Sequence, residues 1–467
     1  MYDIVVIGAG AAGLTFVEKT LKQNNKLKIC LIDAGDRNNN NLNNFTKINF
    51  RNKKLNPVDL NRLFLFGGTT NHWGGYCRPL DPEDFIARNI SNRTSWPFKY
   101  DELKKFEKEA EKILQLNKSF NKLKKLNNEI HSLKKFNIEE IDFDYSNTEV
   151  FSKKFIYFRN KVDLKLNLIA YKLNIDEISN KVINLELIDT KNKHKIKLFA
   201  QKYVIATGGI ETTRFLLNNN NVSKKNYFNK SKKLGIGFND HPHCVVGDFV
   251  SFDNFHTTNI RNNIRYFKHN FDFQKNNNIL NSSSRIVALK NTSDINFELI
   301  KEYKNLFTDS KKKILYTGYI TSVIEQEIKN ENKISLSSVM DDFGIPQVDF
   351  KFKMSKLDYK TVRTTSINIA KWLASNNYGR VKLKKWIIDE QKIPDDEEFL
   401  WYGHHMGTTP MGNKIDQSVV DKDLKIHGLD NLYILSSSTF PTGGASNPTF
   451  TIVQLALRLS SHFSRII

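Results

Sequence analysis

The stretch "YDIVVIGAGAAGL", which starts at residue 2, constrains the fold more than any other part of the sequence. An apolar run typical of a buried strand leads into the pattern G-x-G-x-x-G, formed by Gly8, Gly10 and Gly13, and then into a helical pattern. These glycines permit a tight turn, a close approach of the backbone to a pyrophosphate, and close packing of the helix on the strand. The helix N-terminus offers free N–H groups to the phosphates. The stretch therefore predicts an α/β fold with a dinucleotide site.

A second apolar strand after this helix supports the same prediction. The segment "KLKICLIDAG" contains Asp33 directly after the strand, about 20 residues past the last glycine, where an acid holds a ribose hydroxyl. Strand, glycines, helix, second strand and acid all agree on a dinucleotide site. The pattern alone does not distinguish FAD from NAD.

Three further glycine-rich segments predict loops at the ends of strands. "GGTTNHWGG" (67–75) lets the backbone approach a flat ligand or turn sharply, although an ordinary loop has the same composition. "VIATGGIETTRFLL" has the order strand, glycines and helix, which fits a return to the nucleotide-binding sheet. In the last segment a strand and a glycine-rich loop precede an apolar helix, whose start has Asn447 as a suitable N-cap and Pro448 as the first residue.

Helical periodicity also occurs between the first and second of these loops. From Asp101, which suits an N-cap, apolar residues fall on one helical face at Leu103, Phe106, Ala110, Ile113 and Leu114. A second helix is indicated by Phe120, Leu123, Leu126, Ile130 and Leu133. The polar faces are rich in lysine, which we interpret as solvated surface.

The charge of the chain suggests two classes of partner. Its 467 residues carry a net charge of +21, which would suit nucleic acid or an anionic membrane. The lysines are spread along the whole chain and form no compact block with interleaved aromatics, so we expect no nucleic-acid partner. A basic, flavin-free scaffold that binds nucleic acid or a membrane surface stays as the alternative function.

The cysteines and apolar runs bear on location. Cys30, Cys77 and Cys244 lie far apart without a CxxC pair, which argues against a disulfide framework and a zinc site. We therefore predict no metal site. The strand predicted from residue 2 leaves no room for a signal peptide, and no apolar run is long enough to span a bilayer. We expect a cytoplasmic protein without a transmembrane segment.

Taken in order, these pieces resemble the glucose–methanol–choline (GMC) family of FAD-dependent oxidoreductases. The resemblance rests on "GAGAAGL" with Asp33, "GGTTNHWGG", "VIATGGIETTRFLL", "LGIGFNDHP", "HHMGTTPMG" and "STFPTGGASNPT". The C-terminal piece looks most like the branch of pyranose oxidases and sugar dehydrogenases. The resemblance implies an FAD cofactor and an α/β fold class: a Rossmann-like FAD-binding domain with a second, α+β substrate domain built on an antiparallel sheet. It implies a discontinuous FAD-binding domain (1–90, 160–250 and 400–467), a helical insert (91–159) and a substrate-binding domain (251–399).

The resemblance also implies which residues carry the chemistry. The family's H-x-x-G motif matches His404 and Gly407, and leaves His405 at a variable position. The family's second catalytic residue, histidine or asparagine, matches Asn447. The neutral imidazole of His404, with an ordinary pKa of about 6.5, can accept the hydroxyl proton, while the amide of Asn447 can hold the substrate oxygen. The implied function is oxidation of a CH–OH group of a sugar or related alcohol, with hydride transfer to flavin N5. The electron acceptor, which is oxygen, a quinone or a protein, stays open.

The cofactor contacts implied by the fingerprint and the resemblance form one set. They are Gly8, Gly10, Gly13, Asp33, Gly68, Thr69, Asn71, His72, Thr207, Gly208, Pro448 and Thr449. His72, in "TTNHW", resembles a histidine that links covalently to FAD in pyranose oxidases; a noncovalent contact is the alternative. Thr409-Pro410 stands where relatives often have Cys-Arg, so the resemblance implies nothing detailed about the substrate pocket.

Overall fold

The structure is a computed structural model of the chain. It describes residues 1–37, 48–50, 61–88, 90, 95–116, 127–220, 224–252, 264–289, 297–306, 314–392, 399–401 and 403–467.

The described ranges contain twenty strands and eleven helices. The strands are β1 (Tyr2–Ile7), β2 (Ile29–Ile32), β3 (Ile48–Phe50), β4 (Tyr76–Cys77), β5 (Ile138–Ile141), β6 (Asp144–Tyr145), β7 (Asp163–Lys165), β8 (Leu168–Asp176), β9 (Lys181–Asp189), β10 (Lys195–Leu198), β11 (Ala200–Ile205), β12 (Pro242–Phe252), β13 (Ile264–His269), β14 (Ser282–Leu289), β15 (Ile314–Ile324), β16 (Lys333–Met340), β17 (Pro346–Lys351), β18 (Gly379–Leu383), β19 (Phe399–Trp401) and β20 (Leu432–Ile434). The helices are α1 (Ala11–Gln23), α2 (Asp101–Lys104), α3 (Glu107–Ile113), α4 (Asn127–Lys135), α5 (Phe155–Lys161), α6 (Gly208–Asn218), α7 (Phe271–Asn277), α8 (Phe297–Leu306), α9 (Lys356–Ser375), α10 (Lys385–Ile388) and α11 (Pro448–Phe463).

A five-stranded parallel sheet holds the N-terminal fingerprint. Its order is β20-β11-β1-β2-β7, and every neighbouring pair is parallel. The carboxyl-terminal halves of the central strands are apolar because a parallel sheet buries both faces; Ile4, Val5 and Val6 of β1 are fully buried. Helices α1 and α11 pack together beside the sheet, where the rings of Phe16 and Phe463 meet edge to face at 5.1 Å.

A seven-stranded sheet forms the second large layer. Its order is β18-β12-β15-β14-β13-β5, with β19 also paired to β12, and all of these pairs are antiparallel. Helix α9 covers it and starts with a capping box between Ser355 and Asp358. Trp372 of α9 is fully buried and its ring packs 5.0 Å from that of Phe267. The predicted fold class, a Rossmann-like sheet together with a second region on an antiparallel sheet, is confirmed.

The segment predicted as a helical insert (91–159) differs from the prediction. Its strand β5 forms an edge of the antiparallel sheet, where Ile138–Ile141 pairs with β13. The helix predicted from Asp101 is divided into α2 and α3, because Phe106 leaves helical geometry with φ −98° and ψ 2°. The N-cap prediction for Asp101 is wrong, since Tyr100 takes that position.

The strands of the two large sheets can be compared with the other predicted ranges. All five strands of the parallel sheet come from the ranges predicted for FAD binding, whereas β12 starts the antiparallel sheet before residue 250. Of the second predicted helix, Ile130 and Leu133 lie in α4. Phe120, Leu123 and Leu126 lie outside the described residues. The domain boundaries stay predictions.

Candidate active site

A cavity of about 520 Å³ lies at the carboxyl ends of the parallel strands. It is lined by Ile7 at the end of β1, by Asp33 after β2 and by Thr207 after β11. In open α/β sheets the carboxyl ends of the strands are where ligands bind. Arg285 of β14 also lines the cavity, so the antiparallel sheet contributes one wall. The volume falls within the range of roughly 300–1,000 Å³ that small-molecule sites occupy.

The three fingerprint glycines have different surroundings. Gly8 has a φ of +105°, and a Cβ there would meet the oxygen of Ala206 at 2.4 Å. Gly10 lines the cavity, and its own Cβ would approach only Gly68, at 4.0 Å. A Cβ on Gly13 would lie 2.0 Å from the oxygen of Gly8. Gly8 and Gly10 therefore border the cavity, whereas Gly13 allows α1 to pack against the turn.

Asp33 lies at the edge of the cavity with both carboxylate oxygens engaged. Its Oδ2 accepts a hydrogen bond from the Ala9 N–H at 2.7 Å, and its Oδ1 accepts one from the Gly35 N–H at 2.8 Å. Burial raises the pKa of the Asp33 carboxyl to about 6, although these two donors lower it. The carboxylate thus holds the backbone of the glycine turn through its hydrogen bond to Ala9.

The loop that contains "GGTTNHW" folds over the glycine turn. Gly68–Asn71 forms a single 3-10 turn, and the Gly67 N–H donates to the oxygen of Ala9 at 2.8 Å. Gly68, Thr69 and His72 line the cavity. Asn71 instead donates from Nδ2 to the oxygens of Phe66 and Gly68, at 3.0 and 2.8 Å, so its side chain holds the turn in shape.

Two helices begin at the cavity. Thr207 precedes α6 and Gly208 starts it, and in the part of the chain that the structure describes nothing lies within 4 Å of a Cβ built on Gly208, which has a φ of +75°. Asn447, Pro448 and Thr449 at the start of α11 also line the cavity. Asn447 is the N-cap and Pro448 the first helical residue, as predicted, but the Asn447 side chain makes no capping hydrogen bond. The positive ends of both helix dipoles therefore lie at the cavity wall.

His404 lines the same cavity and is held through Asp240. The Asp240 carboxylate accepts hydrogen bonds from the N–H groups of His404 at 3.0 Å and of Gly403 at 3.2 Å. Ring atom Nδ1 of His404 lies 2.9 Å from Nδ1 of His241. Burial, with smaller contributions from His241 and then from Arg285, lowers the pKa of His404 well below its usual value. The imidazole is therefore neutral at physiological pH.

The neighbouring histidine has different surroundings. His405 is buried, its ring packs on Phe238 at 5.9 Å, and burial lowers its pKa to about 3. Within the described part of the chain its Nε2 has no hydrogen-bond partner. His405 also lines the cavity.

Several residues of the site were not predicted. Arg62 pairs with Glu211, which also approaches Arg214 at 3.4 Å, and all three line the cavity. Arg62 and Arg285 lie in no motif of the sequence analysis, whereas Glu211 and Arg214 lie within "VIATGGIETTRFLL", which predicted a helix start but no ion pair. The contact of His241 with His404 had one available signal in the sequence, the "DHP" stretch within "LGIGFNDHP".

The described residues form neither a metal-binding cluster nor a membrane-spanning helix. Among the described residues, no cluster of three or more His, Cys, Asp or Glu side chains is arranged to hold a metal ion. In the same part of the chain, no helix combines the length and the apolar composition that crossing a membrane requires.

Two family models match the sequence. The model of the GMC oxidoreductase family matches residues 329–456, which include His404 and Asn447. The model of the lycopene cyclase protein family matches residues 3–55, which include the glycine turn and Asp33.

Curated relatives are similar over parts of their length. The fructose dehydrogenase large subunit of Gluconobacter japonicus is 23% identical over 312 residues, which cover 62% of this chain and 52% of the relative. The 2-methyl-1,2-propanediol dehydrogenase of Mycolicibacterium austroafricanum is 44% identical over 62 residues, or 13% of this chain and 11% of the relative. The C-glycoside 3-oxidase of Microbacterium trichothecenolyticum is 28% identical over 145 residues, or 30% and 25%. The chain thus spans about half the length of the first relative and less of the other two.

Solved structures resemble the whole fold. Pyridoxine 4-oxidase from Mesorbium loti aligns with a TM-score of 0.62 at 13% identity, over 100% of this chain and 99% of that one. A variant of formate oxidase from Aspergillus oryzae RIB40 aligns with a TM-score of 0.62 at 14% identity, over 100% and 98%. At sequence identities this low, the likeness shows a shared fold and nothing about function. The C-terminal part of the chain, residues 329–456 with His404 and Asn447, is thus similar to the GMC oxidoreductase family, and the whole chain shares its fold with the two solved oxidases.

Proposed function

We propose that this chain is an FAD-dependent oxidoreductase that oxidises a CH–OH group of a sugar or a related alcohol. One observation carries the proposal: His404 and Asn447 line the same cavity as the glycine turn and Asp33. The names of the relatives point to the same substrates, since they include a fructose dehydrogenase, a diol dehydrogenase and a C-glycoside oxidase.

The residues around the cavity fit a dinucleotide. Gly8 and Gly10 bring backbone close to where a pyrophosphate would lie, and the Asp33 carboxylate lies where a ribose hydroxyl would be held. The open space beside Gly208 and the start of α11 leave room for the rest of the cofactor. When bound, FAD would supply the hydride acceptor of the reaction.

His404 would act as the general base. A base that accepts the hydroxyl proton must be neutral at the working pH and must reach the substrate. The pKa of His404 is lowered well below its usual value and its ring borders the cavity. We assign the removal of the hydroxyl proton to this residue.

Asn447 would hold the substrate oxygen. Asn447 lines the cavity and its side chain makes no capping hydrogen bond with α11, so the amide would be available to a substrate. An amide donor aimed at the oxygen where charge develops stabilises the transition state.

The cofactor is tested by the absorbance spectrum of the purified protein, after incubation with FAD, before and after acid precipitation. A yellow supernatant means noncovalent FAD, and a yellow pellet means covalent flavin, with His72 as the residue to replace first. A protein that stays colourless contradicts the proposal and favours the basic scaffold, which a shift of a nucleic-acid probe would support.

The activity is tested with a panel of ketoses, pyranoses and vicinal diols. Oxygen uptake and reduction of an artificial quinone distinguish an oxidase from a dehydrogenase. We expect His404→Asn to stay yellow and to lose turnover by about 10²–10⁴-fold, as removal of a general base does. The matched control is His427→Asn, which replaces a half-buried histidine outside the cavity and should keep full turnover. Full turnover in His404→Asn would contradict the assignment.

A further inference from the structure

We propose that His241 is a positioning residue that keeps His404 in one tautomer, with the proton on Nδ1 and a free lone pair on Nε2. This inference rests on the proposed function, in which His404 is the base. His241 itself is buried and is not among the residues that line the cavity.

The backbone around His241 determines where its proton lies. Nε2 of His241 is 2.9 Å from the oxygen of Gly444 and 3.3 Å from the oxygen of Gly443. A carbonyl oxygen only accepts hydrogen bonds, so Nε2 must carry a proton and donate it. Burial lowers the pKa of His241 and keeps its ring neutral. Nδ1 of His241 is therefore an acceptor.

The second ring follows from the first. Nδ1 of His241 lies 2.9 Å from Nδ1 of His404, and two acceptors do not form a hydrogen bond. His404 must then donate from Nδ1, and its Nε2 keeps the lone pair that a general base needs. The reverse arrangement would turn the Nε2 lone pair of His241 toward two carbonyl oxygens and would put a proton on Nε2 of His404.

The charged groups nearby do not favour a doubly protonated ring. Asp240 and Glu325 raise the pKa of His241, but burial outweighs them. Arg285 and His405 lower the pKa of His404 further. A chain of two neutral imidazoles is therefore the arrangement that this environment favours.

The surrounding backbone is built to hold both rings. Asp240 accepts hydrogen bonds from the N–H groups of both His241 and His404, at 2.6 and 3.0 Å. Gly443 and Gly444 belong to the loop that leads to Asn447. Gly444 has a φ of +56°, and a Cβ there would lie 2.4 Å from Oδ2 of Asp84, so a residue other than glycine would be strained at this position. One chain of hydrogen bonds thus joins the base to the loop of the second catalytic residue.

This arrangement also assists the proton transfer. As the substrate O–H bond breaks and the bond from hydrogen to Nε2 of His404 forms, positive charge develops on the ring. The Nδ1–H bond that points to His241 becomes a charge-assisted hydrogen bond, which is stronger than the neutral one. The role parallels that of any partner that fixes the tautomer of a histidine through its other ring nitrogen.

The kinetic test compares three variants of the FAD-bound protein. In His241→Phe the ring is replaced without a hydrogen-bonding group, and we expect kcat to fall by about 10²-fold at neutral pH while KM changes less than about twofold. In His241→Asn the amide oxygen can accept from Nδ1–H, and we expect about a tenfold recovery of kcat over the phenylalanine variant. His269→Phe is the matched control: His269 is a buried histidine outside the cavity, bonded to Asn368, and its replacement should leave kcat unchanged.

A second measurement reads the tautomer directly. Ring nitrogen NMR of the histidine-¹⁵N-labelled, FAD-bound protein, assigned with His404→Asn, should show the proton of His404 on Nδ1 in the wild type and on Nε2 in His241→Phe. A proton on Nε2 in the wild type, or an unchanged tautomer in His241→Phe, would overturn the inference. A wild type with the Nδ1 proton that oxidises none of the alcohols would support the tautomer assignment and refute the proposed function, so the two failures are distinguishable.

Discussion

Replacement of Gly208 by alanine would separate cofactor binding from folding. Gly208 has a φ of +75° and lines the cavity, and no atom of the described residues lies within 4 Å of the Cβ that alanine would add. The folded protein should therefore lose only about 1–2 kcal/mol of stability, which is the strain of an alanine in the left-handed conformation. The new methyl group would occupy space that the cofactor needs when it is bound.

Gly344 provides the matched control for this strain. It has a φ of +72° in the turn between β16 and β17, its Cβ would also meet nothing within 4 Å, and it does not line the cavity. Gly344→Ala should lose the same stability as Gly208→Ala. The difference between the two variants in FAD affinity then measures the cofactor contact alone.

The assay is fluorescence titration of the deflavinated variants with FAD, beside their unfolding in urea. We expect both variants to unfold at similarly lowered urea concentrations, with only Gly208→Ala weakening the FAD Kd by tenfold or more, which is about 1.4 kcal/mol. Equal FAD affinity in the two variants would refute the placement of the cofactor beside Gly208. A much larger loss of stability in Gly208→Ala would refute the reasoning about open space.

Three further predictions follow from charge and packing. Because the positive charge of Arg285 disfavours the protonated ring, Arg285→Met should raise the pKa of His404; the acid limb of the kcat/KM profile should then move to higher pH, and a shift to lower pH would contradict the sign. Asp33 has a folded-state pKa of about 6, above its unfolded value of about 3.9. Between these two values the folded state binds more protons than the unfolded state, so the free energy of unfolding of the FAD-free protein should decrease as the pH rises from about 4 to 6. Urea titrations should show this fall in the wild type and not in Asp33→Asn, which should also retain FAD less well; a pH dependence shared by both would assign it elsewhere. Gly13→Ala should destabilise the fold by about 1–3 kcal/mol or more, because its Cβ would lie 2.0 Å from the oxygen of Gly8; thermal unfolding within 1 °C of wild type would contradict this packing role.

The order of motifs along the chain was enough to predict the fold class. The strand, glycine turn and second strand with Asp33 lie within the first 33 residues, and their hydrophobic period and glycine spacing are local properties. The start of α11 at Pro448 was predictable for the same reason, since a cap and a first-turn proline act on adjacent backbone. The resemblance to the family then gave His404 and Asn447 as candidates. The structure brings both residues to one cavity, while their roles stay proposals.

Other features depend on which segments meet in space. The break at Phe106 and the entry of β5 into the antiparallel sheet are decided by packing partners that the local pattern does not reveal. Asn71 was predicted to contact the cofactor, but in the structure its amide bonds to backbone oxygens of its own turn.

The protonation of His404, the candidate base, is the feature that depends most clearly on the tertiary structure. The sequence by itself indicates a histidine at position 404, in a motif typical of a general base. It gives neither the lowered pKa nor the tautomer. The lowered pKa comes mainly from burial. The proposed tautomer depends on His241, which lies 163 residues away in the chain, and on the carbonyl oxygens of the loop before α11. A histidine pattern specifies the group that can accept a proton, but only the burial and the hydrogen-bond partners assembled by the fold decide which nitrogen is free to accept it.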